Sequence, residues 1–379
     1  MRVLFWTELF WPYIGGAQRS AADLILGLRD RGHEFVVVTQ LNDRFLAEEA
    51  RFKGIPVHRF PFYQALVRKS TSQLAVIRER IGALKRAFGP ELVHVNCFGV
   101  GVLFHTDTAK THPALTLLTL RGERYPRVEQ SDTLLEKTLR MADWVTAPSV
   151  RTAEYARQLL PNFVPRISVI YNGIQMPSLP ASELPFDAPS LLCLGRLDSV
   201  KGFDVAVRSF ARVVPRFPKA RLIIAGDGPE RRALEQQVGA LGLARAVDFI
   251  GWIAPESVPE LINTSTMVLM PSRSEGFPLV ALEAAAMGRP VVATAVGGMP
   301  EAVIHRETGW LVRKEDSLGL AQAVSYLLGH PEEATQIGQA ARRRARKTFS
   351  IDRCVDRYDA LYHELAEEAT CTSKGAPRG

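Results

Sequence analysis

Short β-branched runs alternate with amphipathic stretches through the first half of the chain: "RVLFW" (2–6), "QRSAADLILGLRDRG" (18–32), then "EFVVVTQ" (34–40). Continuous apolar runs read as strands buried on both faces, and three-to-four spacing reads as a helix laid over them. Strand, helix, strand in this order builds a parallel sheet with helices on both sides. Further strands are expected at "VHRF", "LVHV", "LTLLTL", "WVTAPS" and "ISVIY", with helices near 65–88 and 130–142. Residues 1–175 therefore read as one doubly wound α/β unit.

The pattern breaks at "GIQMPSLPASELPFDAPS", where proline and small polar residues interrupt the periodicity as linkers do, and 176–188 is expected to be one. It then restarts. "SLLCLGRL", "ARLIIAGDG", "VDFIGWI", "TMVLMPS", "PVVATAV" and "GWLV" are six strand candidates separated by helical segments, a second α/β unit over 189–348. A helix over 349–369 follows, with Ser350 as a cap and Ile351, Val355, Tyr358, Leu361 and Tyr362 on its apolar face. The small and charged residues 370–379 are expected to be a disordered tail.

A length of 379 residues suits two domains with separate cores. With 46% hydrophobic and 23% charged residues the composition is globular, and no apolar run approaches the roughly 18 residues of a membrane span. The start "MRVLFWTELF" lacks the layout of a secretory signal, and Cys97, Cys193, Cys354 and Cys371 stand singly, without disulfide or zinc spacing. The expected setting is a reducing cytoplasm. A net charge of +7 favours anionic partners such as nucleotides, phosphates or an acidic membrane surface, or else marks a basic, solvated surface. No helix-turn-helix, zinc-finger spacing or aromatic RNA-binding motif supports nucleic acid.

Candidate chemistry falls where strands end, which is where open α/β sheets bind ligands. In "PYIGGAQRS", Gly15 and Gly16 let backbone approach a ligand just before a helix N-terminus, or simply form a turn; the spacing is not a dinucleotide fingerprint. In "LGRLDSVKGFD", Arg196 and Lys201 combine a planar fork with a point charge, suited to diphosphate oxygens unless they are isolated surface charges. "IIAGDGPER" reads first as structural, with Asp227 orienting the loop and Pro229 and Glu230 in a first helical turn. In "PSRSEGFPLVALEAAAMGRPVV", Glu275 falls at a strand end. Gly276, Phe277, Pro278 and Leu279 bring backbone to a helix start, and Glu283 lies about one turn further in. Sugar hydroxyls are candidate partners for Glu283, with a salt bridge as the alternative, and Glu275 suits a helix N-terminus on dipole grounds alone.

With these residues in hand, the chain resembles the retaining nucleotide-sugar glycosyltransferases of family 4, enzymes of the GT-B fold. The carriers are "PYIGGAQ", "VIYNGI", "LGRLDSVKGFD", "AGDGPER", "PSRSEGFPLVALEAAAMGRPVVATAVGGMPEAV" with its two glutamates eight apart, and "TGWLV"; together they cover nearly the whole chain. The resemblance implies two Rossmann-like domains facing across a cleft, with the C-terminal helix crossing back to the N-terminal domain. It implies that Arg196, Lys201 and backbone amides from Phe277 to Val280 neutralise the donor diphosphate, that Glu283 holds ribose hydroxyls, and that Glu275 bonds the donor sugar as a positioning group. Gly16 would let its loop close over phosphate and acceptor, and the base would lie near "IGWI". No metal or cofactor is expected, the nucleotide sugar being a substrate.

Two positions depart from the family pattern. Arg121 and Asn96 stand where histidines are frequent, and Arg121 either meets an anionic substrate or pairs with Glu123. His94, in an apolar strand, reads as a satisfied core histidine. The expected activity is transfer to a hydroxyl of a sugar, lipid-linked or small-molecule acceptor, in envelope polysaccharide, glycolipid or glycoconjugate synthesis. A nucleotide-sugar epimerase and a non-catalytic sugar-nucleotide-binding subunit are the alternatives. Finally, Arg68, Lys69, Arg78, Arg80, Lys85 and Arg86 among Leu, Val and Ile suggest peripheral membrane contact, or else an ordinary solvated helix face.

Overall fold

The computed structural model describes residues 1–13, 15–43, 45–96, 99–122, 134–159 and 166–373. It divides into two units, the first of residues 1–173 and 351–379 and the second of residues 174–350.

The first unit runs β1 (Arg2–Thr7), α1 (Gly16–Arg29), β2 (Glu34–Gln40), β3 (Glu49–Phe52), β4 (Ile55–Phe60), α2 (Phe62–Val67), α3 (Thr71–Phe88), β5 (Leu92–Val95), α4 (Val102–Asp107), β6 (Leu115–Thr119), α5 (Leu134–Met141), β7 (Trp144–Ala147), α6 (Val150–Leu159) and β8 (Ile167–Val169). Its eight strands lie in the order β3-β4-β2-β1-β5-β6-β7-β8. All pairs are parallel except β3 with β4. That hairpin joins β4, which holds the expected strand "VHRF", to β3, whose polar run "EARF" has no strand-like pattern. Its two-residue loop, Lys53 and Gly54, takes positive φ at both positions, which matches the twist of paired strands. β1 shows why the strand signal is unbroken rather than alternating: Val3 and Phe5 enter one core and Leu4 and Trp6 the other.

The second unit runs β9 (Ser190–Leu194), α7 (Phe203–Val213), β10 (Arg221–Ala225), α8 (Arg231–Ala240), β11 (Val247–Gly251), α9 (Val258–Asn263), β12 (Met267–Met270), α10 (Leu279–Ala286), β13 (Val291–Thr294), α11 (Met299–Ala302), β14 (Trp310–Val312), α12 (Ser317–Gly329) and α13 (Pro331–Thr348). Six parallel strands lie in the order β11-β10-β9-β12-β13-β14, the Rossmann order with its reversal between β9 and β12. The proline-rich stretch is sewn to this unit rather than hanging free. Fully buried Arg289 donates to the Ser182 carbonyl at 2.7 Å and to Asn263 Oδ1 at 2.7 Å, and Asn263 donates to the Pro180 carbonyl.

The last helix, α14 (Ile351–Ser373), belongs to the first unit and runs four residues into the segment read as a tail; 374–379 lie outside the described residues. Val355, Tyr358, Leu361, Tyr362 and Leu365 pack on Leu24, Ile25 and Leu28 of α1 and on the β1 core. Its two tyrosines carry hydroxyls into the interior, where they need partners. His94 supplies one: its Nδ1 lies 2.6 Å from Tyr362 Oη and its Nε2 lies 2.7 Å from Thr119 Oγ1. Burial, with the Arg121 charge added, keeps this imidazole well below its ordinary range and neutral. His94 is thus a core histidine.

The helix expected over 65–88 is broken. Lys69 takes positive φ, and Ser70 caps α3 by accepting from the Gln73 amide at 3.3 Å. Lys85, counted above among exposed basic residues, is buried, donating to Thr108 Oγ1 at 2.9 Å and to His105 Nδ1 at 3.2 Å. Arg78 and Arg80 pair with Asp107 and Glu48. Of the helix expected over 130–142, 130–133 lie outside the described residues and α5 supplies the rest.

Candidate active site

Two loops meet where the second sheet reverses: one after β9, from Gly195 to Gly202, and one after β12, from Pro271 to Pro278. They bring Lys201 and Glu275 together, 74 residues apart in sequence, with Nζ 2.7 Å from Oε1 and the side chains only 27% and 10% exposed. Ser272 Oγ donates to the same Oε1 at 2.7 Å, so one carboxylate oxygen is held by two donors. Arg196 is exposed at the start of the first loop, and among the described residues its guanidinium makes no hydrogen bond or ion pair.

Backbone contacts fix this geometry. Gly202 is left-handed, and a Cβ there would lie 2.1 Å from the Pro271 carbonyl oxygen; at Gly297, with φ of 51°, it would lie 1.7 Å from the Glu275 carbonyl oxygen. Only glycine lets these segments touch. Arg273 clamps the loops further. Its amide donates to the Val200 carbonyl at 2.7 Å, and its guanidinium binds both Asp204 oxygens at 2.9 Å, the Ser199 carbonyl and Glu315. Burial alone would raise the Asp204 carboxyl, but hydrogen bonds and charge from Arg273 and Arg208 outweigh it and hold the group below its usual range.

Beyond Glu275, Gly276 leads into buried Phe277, whose ring packs on Phe349 at 5.6 Å, so this side chain is a core anchor. Pro278 is buried and precedes α10, and no side chain caps this helix, leaving the amides of Leu279 and Val280 for another acceptor. Glu283 is half-buried on α10. Asp227 accepts from the Gly228 amide at 2.7 Å, and its carbonyl accepts from the Leu197 amide, so it orders its own turn and ties it to the loop after β9. Pro229 is exposed, and it and Glu230 form a turn before α8 rather than its first helical turn, with no side-chain cap on that helix. In "IGWI", β11 ends at Gly251 and Trp252 is exposed.

The first sheet reverses between β1 and β5. Gly15 caps α1 in extended conformation without a side-chain bond, and exposed Gly16 is its first residue. After β5, buried Asn96 accepts from Arg121, which also donates to Asn172 Oδ1 at 2.8 Å. Arg121 therefore ties together the ends of β5 and β6 and the "YNG" segment after β8; Glu123, its other expected partner, lies outside the described residues. Glu8 was not singled out by any motif. It follows β1 beside a recess of about 10 Å³ lined by Trp6, Gln40, Gly99 and Gly101, and desolvation raises its carboxyl.

The glycosyl transferases group 1 profile matches residues 179–344, and the Glycosyltransferase Family 4 profile matches residues 14–176. A glycogen synthase of Mycobacterium tuberculosis (strain H37Rv) is 34% identical over 401 residues, covering 92% of this chain and 91% of its own. The chain belongs to glycosyltransferase family 4. Among solved structures, the sucrose-phosphate synthase of Thermosynechococcus elongatus superposes on this glycosyltransferase with a TM-score of 0.82 at 23% identity, covering 97% of this chain and 99% of its own. Anabaena HepE, solved in complex with UDP-glucose, gives 0.76 at 22% identity, covering 98% and 100%. The fold is GT-B, two Rossmann-like units, and the enzyme is a hexosyltransferase-type glycosyltransferase. Membership favours transfer over the epimerase and non-catalytic alternatives. Among the described residues, no helix is long and apolar enough to cross a membrane.

Proposed function

We propose that this glycosyltransferase moves a sugar from a nucleoside diphosphate sugar to an acceptor hydroxyl, with retention of anomeric configuration and without a metal cofactor. The observation that carries the reading is the Lys201–Glu275 contact, a cation and a carboxylate held at 2.7 Å beside Arg196 at the reversal of a Rossmann sheet. The complex of the fold neighbour HepE with UDP-glucose supports the same donor class.

The bond from the anomeric carbon to the phosphate oxygen breaks, and one to the acceptor oxygen forms on the same face. The acceptor proton leaves with the phosphate oxygen. Negative charge grows on the departing diphosphate, where Arg196, Lys201 and the Leu279 and Val280 amides oppose it; fixed donors stabilise such charge more than water does. Glu275 accepts from donor-sugar hydroxyls and aligns the ring, and Glu283 accepts from ribose hydroxyls. Within the first unit, Gly15 and Gly16 leave backbone open to a ligand ahead of α1, and Asn96 and Arg121 serve the acceptor.

The acceptor belongs to envelope polysaccharide, glycolipid or glycoconjugate synthesis. Arg68, Lys69 and Arg86, with exposed Tyr63, Val67 and Val76, provide a peripheral contact for an anionic bilayer in the cytoplasm. Salt-sensitive flotation with anionic liposomes supports that contact, and its absence removes it. The transfer reading is tested with a panel of nucleoside diphosphate sugars and acceptors, reading anomeric configuration by proton NMR. Retained configuration, turnover that survives a chelator, and its loss in Arg196→Ala and Lys201→Ala support it. Full turnover in both variants would sink it.

A further inference from the structure

Away from the donor loops, three metal-ligating side chains converge within the first unit. His33 lies in the turn between α1 and β2, and Asp359 and His363 stand one turn apart on α14. Each offers one ligand atom, and these atoms lie within 4.8 Å of one another. His33 Nε2 is 2.7 Å and His363 Nε2 is 3.6 Å from Asp359 Oδ1. Among the described residues these two imidazoles are the only side chains within ion-pair distance of the Asp359 carboxylate. The side chains grade outward, 2% exposed at His33, 26% at Asp359 and 66% at His363, which leaves a path from solvent.

We propose that His33, Asp359 and His363 bind a divalent cation of the zinc class and so clamp α14 to the turn between α1 and β2. Two imidazoles and a carboxylate are the borderline donor set that prefers zinc, cobalt or nickel to magnesium or calcium. Ligand atoms bound to tetrahedral zinc lie about 3.4 Å apart, from metal–ligand distances of about 2.1 Å. The Asp359–His363 edge is already near that length. The Asp359–His33 edge opens by about 0.7 Å, within reach of a side-chain rotation of Asp359. Water completes the coordination.

The protons balance. His33 Nδ1 lies 3.2 Å from the Met1 amino nitrogen. As the cation takes Nε2, the proton on that nitrogen is exchanged through solvent to Nδ1, so the imidazole stays neutral and no net proton is released. The neighbouring Arg31 is paired with Asp356, so its charge is offset beside the site.

The site concerns the stability of the first unit and is independent of the transfer chemistry. The test uses the full chain, treated with EDTA and dialysed, then titrated with zinc chloride, cobalt chloride and, as control, magnesium chloride. One zinc equivalent is expected to bind with micromolar affinity, and zinc at about a hundred times its dissociation constant to raise the unfolding temperature by about 5 °C. Cobalt is expected to give tetrahedral d–d bands without a thiolate charge-transfer band, which separates this site from cysteine binding. His363→Ala, at an exposed position, keeps the metal-free unfolding temperature and weakens zinc binding at least about tenfold. Asp359→Asn weakens it likewise. No saturable zinc binding, a thiolate-bearing cobalt spectrum, or unchanged affinity in His363→Ala would overturn the proposal.

Discussion

Replacing Lys201 with methionine keeps most of the side chain's apolar stem and removes its charge, separating packing from electrostatics. A unit charge about 4 Å from a phosphate oxygen contributes about 4 kcal/mol at the effective dielectric of a partly exposed site. Lys201 does not start from water, however; it leaves a 2.7 Å bond to Glu275, a carboxylate only 10% exposed. Breaking that bond costs about 1–2 kcal/mol, so the net advantage of binding diphosphate is about 2–3 kcal/mol. Lys201→Met should therefore weaken nucleoside diphosphate binding about a hundredfold by isothermal titration calorimetry. The same variant should lower stability by only about 1 kcal/mol, because Ser272 still holds Glu275. The partner change has the opposite sign. Glu275→Gln removes a negative charge beside the diphosphate, so nucleoside diphosphate affinity should hold or rise while sugar transfer falls. Binding within threefold of wild type in Lys201→Met, or a loss of diphosphate affinity in Glu275→Gln, would refute this account of the two side chains.

Gly297→Ala places a methyl group 1.7 Å from the Glu275 carbonyl oxygen at a left-handed position, so transfer should fall about a hundredfold through displacement of the loop, as read by initial rates. Arg273→Ala releases the clamp on Asp204 and should destabilise the second unit by about 2 kcal/mol in urea unfolding. Because the folded Asp204 carboxyl is held below its free value of 3.8, the stabilisation is complete above that pH and lost as pH falls through the lower folded value. The variant should show a shallower acid slope there. Burial brings Lys85 down to about 8 from 10.5, so the unfolded chain binds the extra proton between those values and stability rises with pH across them. Lys85→Met should remove that rise and gain about 2–3 kcal/mol at pH 7 in denaturant titrations.

Strand and helix order was legible because both sheets are parallel and buried on both faces, so β1, β9 and β12 appear as unbroken apolar runs. The exception, β3, is an antiparallel edge strand whose pairing depends on a hairpin loop at Lys53 and Gly54 rather than on hydrophobicity. Lys201 and Glu275 were visible singly, at strand ends, but their contact was not, since it depends on which strands become neighbours when the sheet reverses. Arg273, Asp204 and Gly297 stand inside the quoted motifs, yet nothing in the spacing gave them a role. Their roles come from a bidentate ion pair and a van der Waals approach between loops distant in sequence. Lys85 shows the limit of charge patterning: its helix looked basic and solvated, yet the position faces inward and finds Thr108 and His105. Arg289 was likewise hidden in "MGRPVV", where only the path of the proline-rich segment reveals what it binds.

The most direct measurement is a crystal structure of the enzyme soaked with a nucleoside diphosphate sugar. Diphosphate oxygens within hydrogen-bonding distance of Arg196, Lys201 and the Leu279 and Val280 amides, with Glu275 turned from Lys201 to the sugar hydroxyls, are the predicted result. A donor bound elsewhere, with the Lys201–Glu275 bond intact, would contradict the account.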